Sequence, residues 1–388
     1  MLHSTDRILT THVGSLPRIE GLADLIVAQR SGGSVDPVEF QATLARATQA
    51  VVQKQLDAGI DIGNDGEMPR PDFTSYIADR MTGFGMGGEV KRPIPLDAQK
   101  FPVWFRLVSD GSRRRLNVYD WPRAVGDIAY GDGAEVEAEC AGFHKAHAAA
   151  NGQFAEAFMT AVSPGFAATA LANNHYDSHE AYVFALAKAL RPEYEKIVEA
   201  GFILQIDAPD MGMERQGFFQ NDSISDFLAA LEMHVAALNE ALVNIPEAQV
   251  RFHSCWGNRD GPHYFDIPCP DVLPVMFQAK AGALVLPFAN SRHAHEIEAF
   301  RTQKLPDHMV LVAGAVETTN NYVEHPQIVA ERIQRAVAAV GDRERVIAGT
   351  DCGFGTVAGD TFTAEDVVWA KLESLAMGAK IASQNLWG

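Results

Sequence analysis

The sequence predicts a (β/α)8 TIM barrel, an α/β fold, with an inserted β-hairpin excursion between its second and third strands. Three observations carry this. Eight short apolar runs alternate with longer helical stretches along 388 residues, the pattern of parallel strands joined by crossover helices. Polar residues of catalytic type follow nearly every run, and barrels of this kind gather their chemistry at the carboxyl ends of the strands. One interval only breaks the rhythm, about 83–135 (GFGMGGEVKRPIPLDAQKFPVWFRLV onward), rich in Gly, Pro and β-formers. A chain of this length suits one barrel, so residues 1–388 are expected to form a single catalytic domain with that insertion.

The runs justify the strands in order. They lie at about 8–13 (ILTTHV), 60–64 (IDIGN), 157–162 (AFMTAV) and 202–207 (FILQID). The remaining four lie at about 250–255 (VRFHSC), 283–288 (ALVLPF), 309–315 (MVLVAGA) and 345–350 (RVIAGT). His12 and Ser15 follow the first, Asp65 and Glu67 the second, Ser163 the third, and Asp207 and Asp210 the fourth. His253 and Cys255, Asn290, Glu317, then Asp351 and Cys352 follow the rest. A structural chain has no reason to place all of these at one end. The excursion is expected to fold as a hairpin over the barrel mouth, as a lid.

Composition narrows the class. With 47% hydrophobic and 21% charged residues the chain is ordinary globular material. A net charge of −18 argues against nucleic acid, whose phosphates need Lys and Arg. The one basic cluster, Arg113-Arg114-Arg115, reads as a solvated loop. No apolar run approaches the roughly 18 residues of a membrane span. The first residues lack the apolar core of a signal peptide, so a soluble cytoplasmic protein is expected. Four Cys do not make a disulfide framework in so long a chain. Cys140 and Cys269 read as a helix thiol and a loop thiol. The helices leave a homo-oligomer open.

His253 and Cys255 are the sharpest feature. Alternate residues of a strand share a face, so the two point the same way, and Cys352 sits at another strand end. One imidazole and two thiolates form a zinc-type ligand set with a position left open. The structural alternative is a packed His with two buried thiols, since Cys is among the most buried residue types.

The segments TTHVGSLPR (10–18), IGNDGEMPR (62–70), LQIDAPD (204–210), FHSCWGN (252–258), FANSRHAHE (288–296) and GTDCGFGT (349–356) come in a fixed order. Together they resemble the cobalamin-independent methionine synthase family, in particular its short single-barrel members, which look like the carboxy-terminal half of the full enzyme. The resemblance implies a barrel in which Zn2+ presents a thiol to a methyl or alkyl donor. It puts zinc ligands at His253, Cys255 and Cys352, acidic substrate-binding positions at Glu67 and Asp207, and His12, Ser15 and Asn258 along the active site. Two positions depart from the family. Its further zinc ligand, a Glu at the end of the sixth strand, falls on Pro287, and the second acid of its fourth-strand motif falls on Ala208, although Asp210 remains.

Each remaining candidate has two readings. The fourth ligand is Glu317, water or the substrate's sulfur; His293 and His295 are also near but begin a helix, where capping serves equally. Asp207 and Asp210 either cap a loop or bind a substrate amine or hydroxyl and handle protons. Glu67, after Gly66, is read as a substrate contact. His12 is a core histidine or a proton donor. Gly14 and Ser15 offer donors to an anionic group. Asn290 lies at the mouth as a further substrate contact, and Trp256 packs in the loop wall or stacks on a planar ligand. The Gly-rich GTDCGFGT lacks the Lys and spacing of a phosphate loop.

The function expected is zinc-dependent transfer of a methyl or alkyl group, from a methyl-folate to a homocysteine-like thiol. A cysteine-type thiol has a pKa of about 8.5, and coordination to zinc deprotonates it. The expected partners are then a small-molecule thiol and a methyl or alkyl donor, a folate being one candidate. The rival enzyme readings are thiol addition to an epoxide, as in epoxyalkane:coenzyme M transferase, and metal-assisted cleavage or hydrolysis of a small organic substrate. A non-catalytic barrel that binds folate or thiol is the third.

Overall fold

Ten strands run through the described residues: β1 (Ile62–Gly63), β2 (Met81–Gly85), β3 (Arg123–Tyr130), β4 (Glu156–Val162), β5 (Ala172–Asn173), β6 (Ile203–Asp207), β7 (Val250–His253), β8 (Ala283–Leu286), β9 (Val310–Val316) and β10 (Val346–Thr350). The computed structural model describes residues 1–19, 21–86, 93–109, 121–360 and 362–388. Seven strands form one parallel sheet in the order β1-β4-β6-β7-β8-β9-β10. The sheet curls, and the first apolar run links its edges. Thr10 bridges Ala348 of β10 and Thr11 bridges Ile62 of β1, both in parallel sense. The Thr11 N–H donates to Ala348 O at 2.9 Å, and the Ile62 N–H to Thr10 O at 3.0 Å.

A parallel sheet covered on both faces reads as unbroken apolar runs. Every residue of β6 to β10 is accordingly buried. One core cluster joins Leu9, Val13, Ile62, Phe158, Val285 and Val312, separate from the larger clusters formed with the helices. The crossover helices begin at residues chosen for the task. Ser163, Ser178 and Ser223 each accept a backbone N–H from the first turn of helices Pro164–Ala170, His179–Glu199 and Ile224–Ala241. Gly341, at φ 85°, ends helix Pro326–Val340 in the left-handed conformation that costs glycine little. Among the described residues no helix is long and apolar enough to cross a membrane.

The excursion is a small sheet of its own. β2 pairs antiparallel with β3, and β3 pairs in turn with β5 in parallel. Short helices Leu96–Lys100 and Pro102–Val108 lie between β2 and β3. Residues 87–92 and 110–120 of the expected hairpin, including Arg113-Arg114-Arg115, lie outside the described residues. The rest leans on the loop after β7. Asp97 accepts the Tyr264 N–H at 3.2 Å, and the Trp104 indole N–H donates to Asp260 O at 3.0 Å.

Candidate metal centre

β7 ends at His253, and its ladder carries one residue further, because the Ser254 N–H donates to Val285 O at 3.1 Å. That extended step keeps Cys255 on the face of His253, as strand alternation requires. Cys352 arrives from β10, where the Asp351 N–H donates to Val316 O at 2.9 Å and the Thr350 hydroxyl to Cys352 O at 2.8 Å. One ligand atom each from His253, Cys255 and Cys352 lie within 4.8 Å of one another, all three residues buried. A Cβ at Gly353 would run into the Ser15 hydroxyl; the absence of a side chain lets the Cys352 loop close against the first strand's end.

The imidazole is held in one tautomer. Its Nδ1 lies 2.8 Å from Asp207 Oδ1, on the neighbouring strand in direct register with it. Asp207 therefore keeps the hydrogen on Nδ1 and leaves Nε2 as the free donor atom. That Nε2 is buried with no hydrogen-bond partner among the described residues. Such an orphan costs roughly 1–3 kcal/mol unless something meets it. Burial works against protonation of His253, but Asp207 and the Cys255 sulfur outweigh it and hold the pKa at about 9, so an ion binding at Nε2 would displace a proton from that nitrogen while the Nδ1 hydrogen stays directed at Asp207. Each sulfur alters the other's acidity: contact with Cys352 pulls the Cys255 thiol down against burial, while the same contact together with burial drives Cys352 up. An imidazole nitrogen and two cysteine sulfurs, buried together, fit a zinc-class ion, which binds such donors with three protein ligands and an open position.

Around this group lie further polar atoms without partners. Glu67 Oε1 accepts the Thr160 hydroxyl at 2.9 Å, while its buried Oε2 has no partner among the described residues, nor has Asn64 Nδ2 or Gln205 Oε1. Burial raises the Glu67 pKa to about 7, against the pull of Arg70 and with a push from Asp207. Glu67 sits at φ 57°, a left-handed conformation that costs a non-glycine residue about 1–3 kcal/mol and collects at functional sites. The Arg70 guanidinium, 3.0 Å from Thr160 Oγ1 and 2.9 Å from Glu139, braces this corner.

Other expected site residues go elsewhere. Glu317 is not brought to the sulfurs; its carboxylate is taken by Thr319, Asn320 and, at 3.2 Å, the Tyr322 hydroxyl. Asp210 is fully buried one 3-10 turn past β6 and accepts from Ser163 Oγ at 3.1 Å and His234 Nδ1 at 2.8 Å. His12 is the core histidine of its two readings. Its Nε2 bonds Gln55 at 2.8 Å, its Nδ1 accepts the Gly14 N–H at 3.2 Å, and burial lowers its pKa to about 4. Trp256 packs in the loop wall, donating to Ile267 O at 2.7 Å. Asn258 spends its amide on Gly353 O at 2.7 Å and Thr318 Oγ1 at 2.9 Å, so it ties loops together.

The loop after β8, where Pro287 stands, is clasped by Asp351, whose carboxylate accepts the N–H groups of Phe288, Ala289 and Asn290 at 2.9, 2.8 and 2.6 Å. Asn290 also borders a polar cavity of about 480 Å3 with Arg259, Arg292, Glu317 and Asn320. Thr160, Gln205, Gln55 and Arg70 were not singled out from the sequence. Gln205 and Arg70 stand inside the ordered motifs, whereas nothing in helix Pro37–Asp57 marks Gln55.

Known proteins resemble this chain in sequence and in fold. Residues 145–370 match the family model described as cobalamin-independent synthase, catalytic domain. A methionine synthase of Saccharolobus solfataricus is 24% identical over 387 residues, covering 97% of this chain and 95% of that one. A methionine synthase of Sulfurisphaera tokodaii is 24% identical over 378 residues, covering 97% and 93%. Among solved structures, a B12-independent methionine synthase from a Shewanella species, in complex with selenomethionine, superposes with a TM-score of 0.71 at 21% identity, covering 98% of this chain and 99% of that one. A putative vitamin-B12-independent methionine synthase from Listeria monocytogenes gives 0.66 at 18% identity, with the same coverage. Both share the fold.

Proposed function

Since the chain belongs to the cobalamin-independent synthase family, we propose that it is a zinc-dependent transferase moving a methyl or related alkyl group onto a small thiol. The observation that carries this is the buried convergence of His253, Cys255 and Cys352, with Asp207 holding Nδ1 of the imidazole. We read the curled sheet, with its edges linked by Thr10 and Thr11, as a (β/α)8 barrel acting as one catalytic unit. When bound, zinc lowers the pKa of a coordinated thiol so that it is a thiolate at neutral pH.

The protein's own residues prepare the rest. Asp207 orients His253 through Nδ1. The Asp207 carboxylate offers a negative partner suited to the ammonium of an amino-acid thiol. The relatives are named methionine synthase, and a homocysteine-like acceptor with a methyl-folate donor follows as our reading. Attack on the methyl carbon breaks its bond to the donor atom, which then takes a proton. Glu67, with its pKa near 7, is the buried acid able to carry that proton, because Asp210 and His12 are committed to other partners. Ser15, against Gly353, lines the thiol's side.

Pro287 favours one second reading. With no side-chain ligand there, the centre is open to a different electrophile, and thiol addition to an epoxide uses the same sulfur group. X-ray absorption at the zinc edge, with and without homocysteine, tests the proposal. One added zinc–sulfur bond is expected, with methionine formed from methyl-folate. A chelator-treated enzyme that keeps full activity would overturn the metal dependence, and turnover of epoxide but not of methyl-folate would select the second reading.

A further inference from the structure

A second group of metal-type side chains lies behind the first. His263, Asp266 and His293 bring one ligand atom each within 4.8 Å of one another, with side chains 6%, 2% and 5% exposed. His263 Nδ1 and His293 Nε2 both point at one oxygen, Asp266 Oδ2, at 2.7 and 2.9 Å. The outer nitrogens have acceptors as well: His293 Nδ1 meets Glu296 Oε2 at 2.8 Å, and His263 Nε2 meets Arg259 O at 3.3 Å. The other Asp266 oxygen accepts the Gln216 amide at 2.7 Å. Two imidazoles drawn to one carboxylate oxygen, each residue steadied from behind, supply the donor types and outer contacts that a metal site uses.

We propose that His263, Asp266 and His293 form a second site, distinct from the cysteine centre, for a divalent transition-metal ion. The contacts behind the rings support it. A divalent ion entering between the inner nitrogens and Asp266 Oδ2 would leave the outer contacts of His293 to Glu296 and of His263 to Arg259 O in place. Metal bonds of about 2.0–2.2 Å at tetrahedral angles separate ligand atoms by about 3.4 Å, so the group opens by roughly half an ångström. Side-chain rotation supplies that.

Two further features mark the place. His263 adopts φ 50°, a conformation that a non-glycine residue holds only when its surroundings impose it. It also borders the cavity of about 480 Å3, which gives an ion its route and leaves coordination positions for water. Nitrogen and oxygen donors suit zinc, iron, cobalt or manganese rather than copper(I). The site would lock the loop after β7: Trp256 stacks on the His293 ring at 4.8 Å, and Asn258 in that loop holds Gly353 beside Cys352. The inference does not depend on the transferase reading.

The test loads the intact protein with Zn2+, desalts it and counts metal by mass spectrometry, with Co2+ for spectra. Wild type is expected to hold two equivalents and Cys255→Ser/Cys352→Ser one, its Co2+ form lacking sulfur charge-transfer bands. Asp266→Asn in the wild-type background is expected to drop two equivalents to one with those bands retained, which keeps the test open if the double cysteine variant fails to fold. Wild type holding a single equivalent whose Co2+ form shows the sulfur charge-transfer bands, or Asp266→Asn leaving the count unchanged, overturns the proposal. Loss of the cysteine-bound ion alone would instead count against the function proposed above.

Discussion

Removing the Asp207 carboxylate tests the cysteine centre through a residue that need not touch the ion. In Asp207→Ala the His253 Nδ1–H loses the acceptor it has at 2.8 Å, and with it the tautomer that keeps Nε2 free. A hydrogen bond to a charged partner contributes roughly 1.5–3 kcal/mol, and each 1.4 kcal/mol is about tenfold in affinity. Zinc should therefore bind about 10- to 150-fold more weakly, in line with the roughly 10- to 100-fold typical of outer-shell partners. Asp207→Asn keeps an acceptor oxygen and loses only the charge, which contributes about half of such a bond, so its loss should be roughly tenfold or less. Competition with a chromophoric chelator at neutral pH measures both, with circular dichroism to confirm the fold. An Asp207→Ala protein that binds zinc within a factor of two of wild type refutes the idea that Asp207 prepares His253.

Three other outcomes follow from the same contacts. Glu67 has a folded pKa of about 7 against an ordinary 4.5; a pKa raised on folding gives stability that is full below about 4.5 and is lost as pH rises through 7. Glu67→Gln should thus stabilise the protein at alkaline pH by up to about 3 kcal/mol and do little at pH 4; equal gains at both ends of a urea-denaturation series would contradict this. Glu317→Gln should leave the zinc content of the cysteine centre as it was, because that carboxylate is held by Thr319, Asn320 and Tyr322; a fall in bound metal would show that it ligates after all. Glu139 pairs with Arg70 and Arg80, all buried, so Glu139→Gln should cost about 3–5 kcal/mol in urea denaturation by leaving guanidinium charge uncompensated, and a loss under 1 kcal/mol would show the network to be solvated.

The strands were legible because a parallel strand covered on both faces has no polar side to hide. Each apolar run read from the sequence therefore returns within a few residues as β1, β4, β6, β7, β8, β9 or β10, or as the Thr10–Thr11 bridge. The excursion was legible only as an interruption. That β3 would pair onward with β5 depends on contacts between segments far apart, which local pattern does not encode. His253 and Cys255 could be paired by strand alternation, and the ordered motifs added Cys352.

Asp207 and Asp210 show where that reasoning stopped. Both are acids at the end of one strand, and their sequence neighbourhood treats them alike. Asp207 is the last residue in register and faces His253 across the sheet, whereas one turn of 3-10 helix swings Asp210 round to Ser163 and His234. His12 and Glu317 diverge from the centre for the same reason, captured by Gln55 from a helix and by Glu317's own loop.

Chain chemistry alone thus pointed to the layered α/β plan, the family and the candidate set His253, Cys255 and Cys352, since burial period and residue type are local properties. Which acids turn inward, which nitrogen of His253 stays bare, and that Asp266 draws His263 and His293 together were set by packing. A hydrogen bond is won by whichever partner three-dimensional proximity supplies, and in these cases that partner lies tens or hundreds of residues away along the chain.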